Sequence, residues 1–272
     1  MDIIGLALEE DIGSGDVTVR HFTDPERRCD ARILAKQAGV LAGTETAREV
    51  FRRVDATLEV SIDLPDGTGL SAGDVVMTIR GRAGSVLTSE RTALNFLQRL
   101  SGVATQTRRY VDAVAGTGCR VLDTRKTTPG FRVLEKAAVR AGGGTNHRLG
   151  LHDMVMVKDN HFAAGRTVEA LRAGVEAAKA AGLRVEVEAD TLAQAKEIFQ
   201  IPGVDVVLLD NMSLEDMREA VRLRPAGLQL EASGGVTLET IRAIAETGVD
   251  FVSVGALTHS APALDLSLEI EG

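Results

Sequence analysis

The first third of the chain alternates short apolar runs with turn residues. Runs at residues 31–43, 56–64 and 75–81 predict β-strands, and residues 44–54 predict a helix between the first two. Apolar residues then follow helical spacing up to Ser101-Gly102, at Val86, Leu87, Leu94, Leu97 and Leu100. This mixture of strands and helices indicates an α/β unit.

From Cys119 onward the pattern changes to a repeated strand, loop and helix. Strands are predicted at residues 120–123, 154–157, 184–188, 204–210, 229–231 and 251–254, and helices at 167–181, 191–200, 213–223 and 237–247. Buried apolar strands that alternate with helices imply parallel pairing. Six such units are too few for a complete eight-unit barrel, which takes about 250 residues. We therefore predict an incomplete α/β barrel, with a doubly wound open sheet as the alternative.

The change of pattern also predicts where the chain divides. Residues 1–103 are expected to form an N-terminal α/β sandwich domain, with the long helix leading into a second domain. Residues 104–257 are expected to form the incomplete barrel, which carries the candidate chemistry. The C-terminal tail, residues 258–272, is expected to return to the first domain.

Polar residues recur at or just after the C-terminal end of each predicted barrel strand. They are Asp123-Thr124-Arg125-Lys126, Lys158-Asp159-Asn160-His161, Glu186 and Glu188, Asp210-Asn211, Ser233-Gly234-Gly235, and residues 255–259. In parallel α/β folds the C-terminal ends of the strands form the ligand-binding face. We therefore expect these strand ends to meet at one mouth.

The distribution of charge points to an anion at this mouth. The chain of 272 residues carries a formal net charge of −8, yet residues 120–148 contain seven Lys and Arg against two acids, Asp123 and Glu135. Two like charges ~4 Å apart at an effective dielectric of ~20 repel by about 4 kcal/mol. A small bound anion would remove that cost.

The candidate anion clamp consists of Arg125, Lys126, His147, Arg148 and Lys158. Arg offers paired planar donors to a carboxylate, whereas Lys is a point charge, so the mixture suits a small polyanion held in one orientation. Three further cations fall four residues apart on a predicted helix and are interpreted as a solvated face: Arg132, Lys136 and Arg140. His161 and His259 lie close to the mouth and are possible ligands.

Glycines on the last two strands predict a phosphate site. Ser233-Gly234-Gly235 precedes a helix, and Gly255 follows the last strand, so bare backbone amides and a helix N-terminus would surround one point. Each glycine alone is better explained as a turn or cap. Together, on successive strands, they favour binding of a phosphate monoester.

Two acids on neighbouring strand ends, Glu188 and Asp210, could hold Mg²⁺ through oxygen ligands and neutralise a bound pyrophosphate. Glu186 lies two residues earlier on the same strand face and is the alternative to Glu188. Either acid alone is equally well explained as the partner of a neighbouring Lys. Their placement together favours the metal.

Composition excludes several other classes of protein. The chain is 44% hydrophobic but lacks an apolar run of roughly 20 residues, and its N-terminus has no basic region followed by an apolar stretch, so a cytoplasmic protein without membrane contact is expected. Cys29 and Cys119 have neither the spacing of a zinc site nor close His partners. An acidic chain with one Tyr, seven Phe and no Trp is poorly suited to binding nucleic acid.

The chain resembles the quinolinate phosphoribosyltransferase family along essentially its whole length. The segments that carry the resemblance include EEDIGSGDVT, SERTALNFLQRLSGVAT, LDTRKTTPGFR, EKAAVRAGGGTNHR, KDNH, VEVEAD, LLDNMS, EASGGVT and VGALTHSAPALD. In this family an α/β sandwich accompanies an incomplete α/β barrel. The family's enzymes are dimers, alone or within higher oligomers, in which one subunit's sandwich caps the barrel of the other.

The resemblance implies transfer of a phosphoribosyl group from 5-phosphoribosyl 1-pyrophosphate to quinolinate. The products would be nicotinate mononucleotide, pyrophosphate and CO₂, with Mg²⁺ as cofactor, in de novo NAD synthesis. It implies that Arg125, His147, Arg148 and Lys158 line the quinolinate pocket, with Lys126 near the reacting ring. Arg91, which spacing alone describes as half of an exposed charged pair with Glu90, would enter from the partner subunit.

For the phosphoribosyl donor, the resemblance implies that Glu188 and Asp210 serve the ribose and Mg²⁺. The 5-phosphate region would be formed by Ser233, Gly234, Gly235, Gly255 and His259. Three alternatives remain: a paralogue associated with molybdate transport, a non-catalytic phosphate or nucleotide sensor, and a transferase that uses nicotinate. The intact clamp and acids favour the quinolinate enzyme, because nicotinate has a single carboxylate and a sensor needs no Mg²⁺-pyrophosphate site.

Overall fold

The computed structural model describes residues 2–158 and 168–271. The predictions for Asp159, Asn160 and His161 lie outside these residues. The chain divides into two compact units, the first formed by Met1–Arg108, Thr127–Gly143 and Leu257–Gly272 and the second by Arg109–Lys126 and Gly144–Ala256. Within the described ranges, no helix has the length and apolar character needed to span a membrane.

The first unit is built on an antiparallel four-stranded sheet. Its order is β12 (Leu266–Glu271), β1 (Arg28–Ala35), β5 (Val75–Arg82) and β3 (Glu59–Ile62), and a two-stranded sheet pairs β2 (Gly39–Val40) with β4 (Gly69–Leu70). The C-terminal strand pairs with β1 from Asp30↔Glu271 to Ala35↔Leu266. The end of the chain therefore completes the sheet of the first unit.

Helices cover this sheet and supply much of its core. They are α1 (Ile3–Ile12), α2 (Val17–Phe22), α3 (Thr44–Val54), α4 (Ala83–Ala113) and α5 (Arg132–Ala141). Apolar residues from the sheet and from α3 and α4 are fully buried together, among them Ile33, Phe51, Met77, Ile79 and Leu97. The large apolar area removed from water is the main source of stability for this unit.

Helix α4 is longer than its sequence predicts, because Ser101-Gly102 does not end it. A Cβ on Gly102 would collide with the backbone carbonyl of Pro262. The glycine therefore allows a close approach between the helix and the segment before β12, instead of acting as a helix terminator. Sequence alone cannot distinguish these two uses of glycine.

Helix α5 also differs from its predicted character. Lys136, which was expected on a solvated face, is only 2% exposed, whereas Arg140 is exposed. Glu135 is fully buried and accepts hydrogen bonds from Arg99 on α4 and from the backbone and side chain of Thr128. This buried ion pair fixes the loop that precedes α5.

The second unit contains six parallel strands. They are β6 (Arg120–Leu122), β7 (Val155–Val157), β8 (Val185–Ala189), β9 (Val206–Asp210), β10 (Gln229–Ser233) and β11 (Phe251–Ser253), in the order β6-β11-β10-β9-β8-β7. The helices between them are α6 (Val168–Ala180), α7 (Leu192–Ile198), α8 (Leu214–Leu223) and α9 (Ile241–Ala245), and α10 (Ala256–His259) follows β11.

The sheet of the second unit does not close into a full barrel. In the described part of the chain β6 and β7 are the two edge strands, and they do not pair with each other. Strand β8 is buried at every position, including Glu186 and Glu188, so both acids lie inside the unit. The predicted fold, an α/β sandwich domain plus an incomplete parallel barrel, is confirmed.

Candidate active site

A cavity of about 570 Å³ opens at the C-terminal ends of the barrel strands. Residues from the ends of all six strands and from the loop before β7 line it. They include the predicted site residues Arg125, Lys126, His147, Arg148, Lys158, Glu188, Asp210, Ser233 and Gly234. The strand pattern predicts that these strand ends meet at one mouth, and in the structure they do.

Four other predicted site residues are not among those that line this cavity: Arg91, Gly235, Gly255 and His259. Gly235 lines a neighbouring groove together with Asn211 and Gly234. Arg91 and His259 belong to the first unit, where both are exposed, and the ring of His259 lies 2.6 Å from the hydroxyl of Ser260. Their predicted roles in binding stay predictions, as does that of Gly255.

Asp123 positions the loop that carries the clamp. This fully buried residue follows β6, and its two carboxylate oxygens accept hydrogen bonds from Asn146 Nδ2 (2.6 Å) and from the backbone N–H of His147 (2.8 Å). The backbone of Thr145 also bonds to Val121 and Asp123, so the loop runs beside β6 like a short extra strand. The loop thereby brings His147 and Arg148 into the cavity.

Both ring nitrogens of His147 have protein partners. Nε2 lies 2.8 Å from Glu186 Oε2 and 3.4 Å from Glu231 Oε2, and Nδ1 accepts the backbone N–H of Arg148 at 2.8 Å. A ring whose Nδ1 is an acceptor carries its proton on Nε2, facing the carboxylates. The ring can therefore contact a substrate through nitrogen only by giving up one of these bonds.

Two opposing effects act on the charge of His147. Burial disfavours the charged ring, but the hydrogen bonds that the ring donates to Glu186 and Glu231 outweigh it and raise the pKa of His147 to about 9. A second ring proton would sit on Nδ1, where it would displace the hydrogen bond from Arg148. Because of this competing bond, the charged form of the His147 ring is less favoured than the two carboxylates alone would make it.

Glu186 and Glu231 are the buried acids beneath His147, with exposures of 0% and 2%. Burial and the neighbouring Glu231 raise the pKa of Glu186. Oε1 of Glu186 has no partner among the described residues, but Glu186 also lines a second cavity of about 140 Å³, which is large enough for water.

The three groups His147, Glu186 and Glu231 lie close enough together to hold a metal ion. The Arg148 amide argues against such a site. A metal would need the free electron pair of Nε2, and the ring proton would then move to Nδ1 and face an N–H donor. We therefore interpret these residues as a hydrogen-bonded support for the clamp.

Arg148 and Arg125 make one side of the cavity strongly cationic. Burial and the nearby Arg125 lower the pKa of Arg148 from its ordinary value, although a guanidinium stays charged at neutral pH. The guanidinium of Arg148 contacts the Met154 carbonyl at 3.5 Å and the Met156 sulfur at 3.4 Å. Like charges held together in this way favour binding of an anion.

Two acids, Glu188 and Asp210, line the cavity at the ends of β8 and β9. Glu188 is buried and forms an ion pair with Lys158. The alternative interpretation of Glu188, as the partner of a lysine, is thus met in the structure. Burial and the charge of Glu188 raise the pKa of Asp210. A divalent cation held by the two carboxylates would offset that charge.

The sequence interpretation missed Asp123 and Glu231 as functional residues. Each lies in a buried strand environment, where an acid is costly unless it is paired. An acid within or directly after an apolar strand was the available signal in both cases. Their partners on distant segments were not visible in the sequence.

An open α/β barrel whose mouth is lined by cations, carboxylates and a glycine loop defines a class of enzymes that bind small anionic and phosphorylated substrates. Two family models match the chain: the N-terminal domain of quinolinate phosphoribosyl transferase over residues 16–101, and its C-terminal domain over residues 103–269.

Similar proteins and structures agree with this match. A Bacillus subtilis protein named probable nicotinate-nucleotide pyrophosphorylase (carboxylating) is 44% identical over 96% of this chain and 90% of its own length. The chloroplastic Arabidopsis thaliana protein of the same name is 43% identical over 99% and 82%. The crystal structure of NadC from Streptococcus pyogenes superposes with a TM-score of 0.92 at 42% identity, covering 100% of this chain and 96% of the other. The chain belongs to the quinolinate phosphoribosyltransferase family.

Proposed function

We propose that this chain transfers the phosphoribosyl group of 5-phosphoribosyl 1-pyrophosphate to quinolinate, with loss of CO₂. The products are nicotinate mononucleotide and pyrophosphate, and the reaction serves de novo NAD synthesis. The observation that carries the proposal is that one cavity is lined both by cations, among them Arg125 and Arg148, and by the acids Glu188 and Asp210. Membership of the family supports the same reaction.

The cations suit quinolinate because this ring carries two adjacent carboxylates. Arg125 and Arg148 neutralise them, joined by Lys158 when it exchanges its ion pair with Glu188 for a substrate carboxylate, and the paired donors of arginine fix the orientation of the ring. His147 stiffens the clamp through its bond to the Arg148 amide. A fixed orientation brings the ring nitrogen toward the anomeric carbon of the ribose, which lowers the entropic part of the barrier.

The acids suit the phosphoribosyl donor. Glu188 and Asp210 supply oxygen ligands of the kind that Mg²⁺ prefers, and the charge of Glu188 that raises the pKa of Asp210 favours a cation. When bound, Mg²⁺ neutralises the pyrophosphate leaving group. Ser233, Gly234 and Gly235 offer backbone amides to the 5-phosphate, with Gly234 at φ 96° and Gly235 at φ 58°, a left-handed conformation that opens the loop.

The transfer then follows from the positions of these charges. The ring nitrogen forms a bond to the anomeric carbon as the bond to pyrophosphate breaks, and the carboxylates of Glu188 and Asp210 stabilise the positive charge that develops on the sugar. The resulting pyridinium accepts the electron pair left when the adjacent carboxylate departs as CO₂. Lys126 is our candidate for returning a proton to that ring carbon.

We also propose that the active protein is a homodimer or an assembly of dimers. Arg91 is exposed on α4, as a residue that enters a partner's cavity must be. Its cationic head would add to the quinolinate clamp of the other subunit. The cytoplasmic location predicted from the sequence stays a prediction.

An assay of purified protein with phosphoribosyl pyrophosphate and Mg²⁺ tests the proposed reaction. Quinolinate and nicotinate are offered separately, and nicotinate mononucleotide is measured. Product from quinolinate alone supports the proposal, whereas product from nicotinate would show that the second carboxylate is not required. No product from either would favour the sensor or the molybdate-associated paralogue.

A further inference from the structure

Asn211 has an unusual backbone for a residue with a side chain. Its φ is 52°, and it is the sole non-glycine residue with a positive φ in the part of the chain that the structure describes. Asn tolerates the left-handed region better than most residues, yet such strain persists only where the surroundings hold it. The position, directly after β9 and beside the cavity, makes a functional reason worth testing.

The contacts of Asn211 reach two neighbouring strand ends. Its Nδ2 donates to Asp210 Oδ2 at 2.8 Å, and its backbone N–H donates to the carbonyl of Ser233 at 2.9 Å. Its carboxamide also fills the space above Gly234, because a Cβ on Gly234 would overlap Asn211 Oδ1 and Cγ. Asn211 therefore contacts one proposed metal ligand and the proposed phosphate loop together.

We propose that Asn211 is a positioning residue that sets the orientation of Asp210 relative to the Ser233-Gly234-Gly235 loop. This inference rests on the proposed function, in which these two elements bind opposite ends of the same phosphoribosyl donor. A loss of the carboxamide would free the Asp210 carboxylate and leave the loop unsupported. Quinolinate binding, which uses Arg125, Arg148 and Lys158, would be unaffected.

Two variants separate the side chain from the backbone. Asn211→Gly accepts the left-handed backbone and removes the carboxamide, so the fold should be retained. Asn211→Asp keeps the shape but replaces the donor with a carboxylate beside Asp210. For both variants we expect KM for phosphoribosyl pyrophosphate to rise at least tenfold, while KM for quinolinate changes less than twofold.

Ser213→Gly is the matched control for a loosened loop. Ser213 caps α8 by accepting the N–H of Asp216 at 3.1 Å, and in the described structure its side chain bonds to neither Asp210 nor Gly234. Its loss should lower the melting temperature and leave both KM values unchanged. A merely structural role for Asn211 would give this same result.

The measurements are steady-state kinetics and calorimetric titration of phosphoribosyl pyrophosphate with Mg²⁺ into each protein. Selective weakening of donor binding in both Asn211 variants supports the inference. If the wild-type protein turns over and Asn211→Gly keeps its donor KM, or weakens both substrates equally, the inference is wrong and the proposed function stands. A wild-type protein that binds no donor overturns both.

Discussion

His147 and Glu186 form a hydrogen bond inside the barrel, with Nε2 of the ring 2.8 Å from Oε2 of a fully buried carboxylate. The ring also accepts the amide of Arg148 through Nδ1. His147 thus connects the interior of the barrel to the backbone of the clamp. Its protonation should therefore affect stability.

The first prediction concerns pH. The pKa of His147 is raised from 6.5 to about 9, and that of Glu186 is raised as well, so the folded protein binds more protons than the unfolded chain. The free energy of unfolding should then fall as pH rises. The contribution of His147 is complete below pH 6.5 and is lost as the pH approaches 9.

The shift of His147 corresponds to at most about 3 kcal/mol, and the competing bond at Nδ1 reduces our expectation to roughly 1–2 kcal/mol. Denaturant unfolding of the wild type and of His147→Gln at both ends of this pH range measures it. The wild type should lose more stability than the variant. Equal losses in the two proteins would assign the pH dependence to other groups.

The second prediction concerns the clamp. Arg148→Ala or Lys158→Ala should lower kcat/KM at least tenfold while the chain still folds, because each removes a charged donor to a substrate carboxylate. Such a bond is worth about 1.5–3 kcal/mol, or roughly ten- to a hundredfold in kcat/KM, and more when the remaining charges are left unbalanced. Lys158→Ala should also lower stability, because it removes the ion-pair partner of the buried Glu188. Arg148→Lys is the matched control: it keeps the charge without the paired donors and should recover only part of the rate. Near-normal rates in the alanine variants would show that these residues do not bind substrate.

The third prediction concerns Asp123. Asp123→Ala leaves Asn146 Nδ2 and the His147 N–H without their acceptor inside the protein, at an expected cost of about 1–3 kcal/mol in the free energy of unfolding. The clamp loop should also shift, which raises KM for quinolinate. Asp123→Asn retains one acceptor, so its stability and its KM for quinolinate should lie between those of the wild type and of Asp123→Ala. Thermal unfolding and kinetics measure these effects, and an alanine variant as stable as the wild type would contradict the assigned role.

The fourth prediction concerns the proposed dimer. Arg91→Ala and Lys126→Ala subunits should each be inactive alone. Mixed dimers should regain activity, because one of their two cavities would combine an intact Arg91 with an intact Lys126. Mixing each variant with itself is the control. An absence of recovery in dimers shown to have exchanged subunits would argue against a site shared between chains.

The strand pattern was enough to predict the six parallel strands and their mouth, because hydrophobic period and strand-end polarity are local properties of the sequence. It could not predict that Gly102 continues α4, since the reason is a carbonyl on the distant Pro262. Lys136 was misplaced for a similar reason, because four-residue spacing describes a helix face but not what covers it.

The same distinction between local features and distant contacts applies to the candidate site. Residue type and strand position predicted the clamp and the acids that line the cavity. The contacts that hold the clamp in place join residues far apart in the chain. They pair Asp123 with Asn146, and Glu186 and Glu231 with His147. The sequence placed Asn211 at the mouth but gave no sign of its left-handed backbone, which exists only in the folded structure.

The most direct test of the proposed reaction follows the carboxylate that quinolinate loses. Quinolinate labelled at the carboxylate next to the ring nitrogen is incubated with the protein, phosphoribosyl pyrophosphate and Mg²⁺, and labelled CO₂, pyrophosphate and nicotinate mononucleotide are counted. We expect all three in equal amounts, and none when phosphoribosyl pyrophosphate is omitted. Nucleotide formed without labelled CO₂, or no nucleotide at all, would contradict the proposed reaction.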